Sequence, residues 1–160
     1  MAALMWTHNC SAGVQAMDDQ HGILLDALNE LRLALVRGTD CQSVRAMLTR
    51  VAELMRLHVE SEEKLLARNG FPGLADHQTE NRKLLERLAI FNVRFEQRQS
   101  NSVYELVEYL RRWFTNHTGV SGRTYGPWLF LPLSHTCPPA RTGALNRTPA
   151  APRIGDNSLR

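Results

Sequence analysis

Residues 41–68 carry the strongest pattern in this chain and read CQSVRAMLTRVAELMRLHVESEEKLLAR. Apolar residues recur there at intervals of three and four, which is the period of one face of an α-helix. This apolar face comprises Met47, Leu48, Val51, Leu54, Met55, Leu65 and Leu66. Asn69 and Gly70, typical of a helix end, follow directly. The stretch therefore predicts a long amphipathic helix.

The same period appears in three further stretches, which predict helices over about residues 18–36, over about residues 74–97 and from residue 102 onward. No segment of the chain alternates with period two, so no strand is expected. The linkers between the helices are only a few residues long, and short linkers force neighbouring helices to be antiparallel. The sequence predicts an all-α protein, an up-down-up-down antiparallel four-helix bundle.

The two ends of the chain differ from the bundle. Residues 1–16 show no helical pattern, and we expect them to form an arm in which Trp6 and Val14 fold back over the helices. Residues 131–160 contain five of the seven prolines and show no apolar periodicity, which is typical of disorder. The expected domains are a bundle over residues 1–130 and a disordered tail containing proline and arginine over residues 131–160.

Composition excludes several classes of protein. The tail holds four arginines and one aspartate, which account for the whole net charge of +3. The bundle itself is neutral, so it lacks the positive charge that is typical of proteins that bind nucleic acid. No run of about 18 apolar residues predicts a membrane span, and the start of the chain does not resemble a secretory signal. Cys10, Cys41 and Cys137 are too few for a four-cysteine zinc site. We expect a cytoplasmic protein with neither nucleic-acid nor membrane partners.

Four histidines mark a candidate metal site, because each predicted helix carries one of them on its apolar face. They are His21, His58, His77 and His117. A single histidine on an apolar face is more often a hydrogen-bonded core residue than a ligand. Four in one small core are different, since a core of Leu, Met and Phe offers few partners to their ring nitrogens, whereas a metal ion would serve all four.

A carboxylate accompanies these histidines. Glu62 lies four residues after His58 on the same helix face, so the two side chains can chelate one ion. A carboxylate in an apolar core is costly unless it is paired or binds metal. Glu60 and Glu63 point away from this face and are expected to be solvated. His21, His58 and Glu62 together form a set that suits Fe(II) or Zn(II).

The pattern as a whole resembles the bacterial hemerythrins, of the HHE-type cation-binding family. The matching stretches cover residues 6 to about 129. They are Trp6, MDDQH at 17–21, HVESEE at 58–63, NGFP at 69–72, His77, WFTNH at 113–117 and Tyr125. The resemblance implies a four-helix bundle that carries a non-haem diiron centre and binds dioxygen reversibly, as an oxygen carrier or store and not as an enzyme.

The resemblance also implies roles for the candidate ligands. His21 and His58 would hold the iron that takes up oxygen, His77 and His117 would hold the second iron, and Glu62 would bridge them. Asp18 matches an acidic position of the family and equally fits the N-cap of the first helix.

Two family ligands are replaced in this chain. Asn81 stands where the family has a second histidine on the third helix, and Gly122 stands where it has a bridging aspartate. Five of seven ligands remain, so the expected cofactor is iron, two ions by the resemblance or one because of these replacements.

Three functions stay open. The first is an oxygen-binding iron protein for storage, delivery or sensing. The second is a mononuclear iron or zinc protein, which includes an iron oxygenase. A ferritin-like oxidase is disfavoured because no histidine follows a glutamate by three residues. The third is a metal-free helical module for protein contacts.

Overall fold

The computed structural model describes residues 3–5, 7, 10–98 and 101–129, and for residues 120–123 it describes the backbone alone. The helices are α1 (Gln15–Arg37), α2 (Cys41–Arg68), α3 (Leu74–Glu96), α4 (Ser102–Asn116) and α5 (Gly122–Leu129). One turn of π-helix, His117–Ser121, joins α4 to α5. The described part of the chain contains no strand.

The first four helices form the predicted up-down-up-down antiparallel bundle. α1 packs against α2 and α4, and α3 packs against the same two helices from the other side. The helix faces predicted from the apolar period meet along the axis, where Leu31, Met55, Leu84 and Leu110 are completely buried. Burial of each such side chain stabilises the fold by about 2 kcal/mol.

Local signals set most helix ends where the sequence predicts them. Gly38 closes α1 with φ of 66°, and its backbone N–H donates to α1 carbonyls, a conformation that glycine adopts without strain. Asp40 is the N-cap of α2, because its carboxylate accepts a hydrogen bond from the Ser43 backbone N–H at 2.9 Å. α2 begins and ends at the predicted residues, whereas α1 begins at Gln15, three residues before the predicted start.

The described part of the N-terminal arm packs on the bundle as predicted. The backbone N–H of Leu4 donates to the Asn29 side chain, which donates back to the Leu4 carbonyl, both at 2.9 Å. Cys10 is buried in the main core, and Val14 packs against a second, smaller apolar cluster that contains Met17 and Leu66. Trp6 lies outside the described residues, and its predicted position is not tested.

The chain continues in helical form beyond residue 120, where the sequence pattern predicts no further helix. α5 packs against α2, and its Tyr125 and Leu129 are buried beside Met17 and Leu66. The side chain of Asn69 donates a hydrogen bond to the Trp128 carbonyl, which ties α5 to the end of α2. The predicted tail over residues 131–160 lies outside the described part of the chain. No helix within the described part is long and apolar enough to cross a membrane.

Candidate metal centre

The histidine of α1 presents one ring nitrogen to the interior of the bundle. His21 is 2% exposed, and its Nδ1 lies 2.9 Å from the Cys10 carbonyl oxygen. A carbonyl oxygen only accepts hydrogen bonds, so Nδ1 carries the proton and Nε2 keeps its lone pair. Nε2 is buried without a hydrogen-bond partner. The arm thus orients His21 as metal-binding histidines are oriented, through a hydrogen bond on the nitrogen that does not bind.

The histidine of α2 is oriented in the same way by a side chain of α1. His58 is completely buried, and its Nδ1 lies 3.1 Å from Gln20 Oε1. Gln20 donates through its amide nitrogen to the Ser61 hydroxyl at 3.3 Å, so its oxygen is the atom that faces His58. His58 Nε2 therefore faces His117 Nε2, at 2.9 Å.

Glu62 lies between the histidines of α3 and of the π-turn. It is completely buried, with one carboxylate oxygen 2.9 Å from His77 Nε2 and the other 3.5 Å from His117 Nε2. Neither carboxylate oxygen makes a hydrogen bond within the described residues, and His77 Nε2 makes none either. Four buried polar atoms of the centre thus lack partners within the described residues: His21 Nε2, His77 Nε2 and both Glu62 oxygens.

The structure brings all five predicted residues to one place. His21, His58, Glu62 and His117 each offer an atom within 4.8 Å of the others, and all four residues are buried. His77 approaches the same carboxylate from α3. The bundle axis at this level is therefore a cluster of imidazoles around one carboxylate.

Aromatic side chains enclose the cluster. Trp113 stacks on the His117 ring at 4.4 Å with an angle of 15° between the planes. Phe114, which is 1% exposed, meets the His21 ring edge-on at 5.9 Å. The Tyr125 hydroxyl lies 3.1 Å from both ring nitrogens of His117. These walls keep bulk water from the cluster on the α1 and α5 sides.

Two predictions about acidic residues are wrong. Asp18 is not the N-cap of α1, which is Val14, and it does not reach the cluster. Its carboxylate instead accepts hydrogen bonds from the Ser11 hydroxyl at 2.7 Å and the Ala12 backbone N–H at 2.5 Å, which anchors the arm.

Glu63 is half-buried and not solvated, because α3 covers it and Asn81 donates to it at 2.9 Å. Glu60 is exposed, as predicted.

Pattern reasoning missed the groups that orient the ligands. The Cys10 carbonyl is a backbone atom, which no residue pattern reveals. Gln20 belongs to the run that carried the family resemblance, but nothing in the sequence assigned it to His58. The partnership of Asn81 with Glu63 depends on how α2 and α3 are rotated against each other, which periodicity does not give.

Burial sets the protonation state of the cluster. It lowers the pKa of His58 to about 3, with a further contribution from His117. Burial likewise lowers the pKa of His117 to about 4. Burial alone would raise the pKa of Glu62, but the attraction of His117 and His77 outweighs it and lowers that pKa to about 2. At neutral pH His58 and His117 are therefore neutral imidazoles and Glu62 is a carboxylate, the forms that bind a metal.

These pKa values predict acid sensitivity of the metal-free protein. His58 and His117 have folded-state pKa values below the usual 6.5, so the unfolded chain takes up their protons first as the pH falls. Stability should be complete above pH 6.5 and decline below it, by about 2 kcal/mol for each histidine between pH 7 and pH 5. Urea unfolding at the two pH values measures this. His58→Gln should remove about half of the decline, and equal stability of the unsubstituted protein at both pH values would contradict the prediction.

Comparisons with known proteins agree with this geometry. Residues 12–129 match the family model described as the hemerythrin HHE cation binding domain. The chain is 28% identical over 125 residues to a bacteriohemerythrin of Stenotrophomonas maltophilia, covering 78% of this chain and 80% of that protein. It is 26% identical over 130 residues to a bacteriohemerythrin of Methylococcus capsulatus, covering 81% of this chain and 98% of the relative.

Solved structures give the same result for the fold. The chain superposes on crystal structures of two hemerythrin variants with a TM-score of 0.74 and 26% identity, covering 81% of this chain and 98% of each of those chains. The match of the family model extends over most of the chain and includes all five clustered residues. This protein therefore belongs to the hemerythrin family of HHE cation-binding domains.

Proposed function

We propose that this chain is a non-haem iron protein that binds dioxygen, for storage, delivery or sensing, and that it is not an enzyme. The observation that carries the proposal is the set of four partnerless buried atoms that converge on the bundle axis. A buried polar atom without a partner costs free energy, and metal binding in this cluster would offset that cost.

The donor set fits iron. Imidazole nitrogen together with carboxylate oxygen is a ligand combination that suits non-haem iron, and softer thiolate ligands are absent from the described cluster. We assign His21, His58, His77, His117 and Glu62 as the ligands. The bacteriohemerythrins among the relatives support iron as the metal and dioxygen as its partner.

The residues of this chain do three things for such a centre. Iron, when bound, supplies the reversible exchange of electrons with dioxygen. The Cys10 carbonyl and Gln20 hold their histidines in the tautomer in which Nε2 carries no proton. Phe114, which meets the His21 ring, and Met55 are buried apolar side chains that exclude water from the interior of the bundle. The pKa of the Tyr125 hydroxyl is raised by burial, so it remains a proton donor beside His117.

A single-metal site is the second candidate. It is favoured by the compact group of His21, His58, Glu62 and His117, whose donor atoms all lie within 4.8 Å of one another. Three imidazoles and a carboxylate around one ion would suit mononuclear iron or zinc. Asn81 and Gly122 favour this candidate further, because the ligands that they replace belong to the family's full set of seven.

Metal analysis joined to an oxygen titration tests the proposal. Protein purified from iron-supplemented cells should contain iron, and the anaerobic ferrous form should gain visible absorption on addition of oxygen and lose it when oxygen is removed. An oxo-bridged pair would also show charge-transfer bands in the oxidised form, whereas a single iron would not. Zinc as the only bound metal, or no metal at all, would overturn the oxygen-binding proposal.

A further inference from the structure

A cleft between α3 and α4 leads from the surface to one side of the metal centre. Its volume is about 580 Å³, within the range of small-molecule sites. His77 and Asn81 line it from α3, Trp113 lines it from α4, and His117 lines it from the π-turn that follows α4. Two of the five proposed ligands therefore face a space that is large enough for an added molecule.

Asn81 leaves the metal side of this cleft without a strong ligand. It is 2% exposed and lies one helical turn after His77, on the same face of α3. Its amide nitrogen donates to Glu63 on α2, so the side chain is bound to that carboxylate. A neutral amide is also a weaker ligand than imidazole. A metal held by His77 and His117 would thus have a place for one further ligand on this side.

The charges around the cleft favour an anion as that ligand. Arg111 is paired with Glu108 at 3.2 Å, and Glu80 is paired with Lys83 at 2.6 Å. Arg112 also lines the cleft and makes no ion pair with any residue in the described ranges. Among the charged residues that line the cleft, Arg112 is therefore the one whose charge is not offset by an ion pair within the described residues. A guanidinium binds a carboxylate through two parallel hydrogen bonds, which favours carboxylates over spherical anions.

We propose that the α3–α4 cleft is a subsite for a small organic carboxylate, which binds the metal beside Asn81 and pairs with Arg112. This inference rests on the proposed metal site. The bound carboxylate would provide an oxygen ligand from solution. The family has such a ligand, an aspartate, at the position that is Gly122 in this chain. Oxygen binding by the centre would then respond to the concentration of a small carboxylate in its surroundings.

Cobalt(II) as a spectroscopic substitute and acetate as the carboxylate test this subsite. Cobalt content of the whole chain is measured first. Acetate is then titrated at constant ionic strength, and the visible bands of the bound cobalt should shift with saturation. Acetamide, the neutral isostere, should cause no shift. Because acetate would bind only the loaded protein, it should also tighten the apparent affinity for cobalt.

Matched variants locate the response. Arg112→Gln should weaken acetate about threefold, the size expected for an exposed ion pair. Arg56→Gln, which removes an exposed arginine of α2, should not change it. Asn81→His should retain cobalt and abolish the shift, since an imidazole would fill the open place.

Each outcome decides a separate point. Absence of bound cobalt would overturn both the metal site and the subsite. Bound cobalt whose spectrum ignores acetate would overturn the subsite alone. A shift that persists unchanged in both Arg112→Gln and Asn81→His would place acetate elsewhere and likewise overturn the proposal.

Discussion

Glu62→Gln is expected to weaken iron binding by at least about a hundredfold, since loss of even an indirect partner of a metal site costs ten- to a hundredfold. Within the described residues Glu62 is the one carboxylate that lies among the histidines, and neither of its buried oxygens makes a hydrogen bond there. Glutamine keeps the shape of the side chain but removes the charge that offsets the charge of the metal. Metal content after dialysis against a weak chelator measures the effect.

Glu60→Gln is the matched control for this prediction. Glu60 lies on the same helix, is exposed, and pairs with Lys64 at 2.6 Å, so its substitution should leave iron content unchanged. Far-ultraviolet circular dichroism should show that both variants keep the helical fold. Equal iron loss in the two variants, or none in Glu62→Gln, would remove Glu62 from the ligand set.

The double variant Asn81→His, Gly122→Asp is expected to raise the iron content to about two per chain, because it restores an imidazole and a carboxylate at the two replaced ligand positions. Asn81 is already buried on the metal side of α3. An imidazole there can donate to Glu63 through one nitrogen, as the amide does now, and present the other to the metal. Gly122 begins α5, so the backbone continues in helical form to the position of the missing aspartate.

Iron analysis and the visible spectrum check this second prediction. The double variant should show oxo-to-iron absorption bands that the unsubstituted protein lacks or shows more weakly. Gln78→His is a control, since Gln78 is exposed on α3 next to His77 but on another face. If the unsubstituted protein already holds two irons with the same spectrum, other residues complete its site. If the folded double variant gains no iron, the histidines act as core residues.

Membership of the family and completeness of its metal site are separate properties of this chain. The bundle depends on apolar faces that the replacements at Asn81 and Gly122 do not touch. A metal centre of the proposed kind depends on each donor individually, so the replacement of two ligands would alter its chemistry without altering the fold. The proposed carboxylate subsite in the cleft beside Asn81 rests on one of these replacements, because a neutral amide is a weaker ligand than an imidazole.

The sequence by itself determined the helices and the choice of candidate ligands. Apolar period and end signals place α2 at Cys41–Arg68, as observed, and they put the four histidines and Glu62 on buried faces. These features are local, since the phase of a residue on its own helix follows from 3.6 residues per turn. The extent of α5 was missed, because its glycines and proline hide the pattern.

Only the tertiary structure decided how the donors meet and what orients them. Three contacts of the centre join different segments of the chain. They are the approach of His58 to His117, the hydrogen bond from His21 to the Cys10 carbonyl, and the hydrogen bond from Asn81 to Glu63. Their distances depend on the rotation and axial shift of one segment against another. Those two quantities are set by the packing of all side chains together, and no periodicity within a single helix contains them.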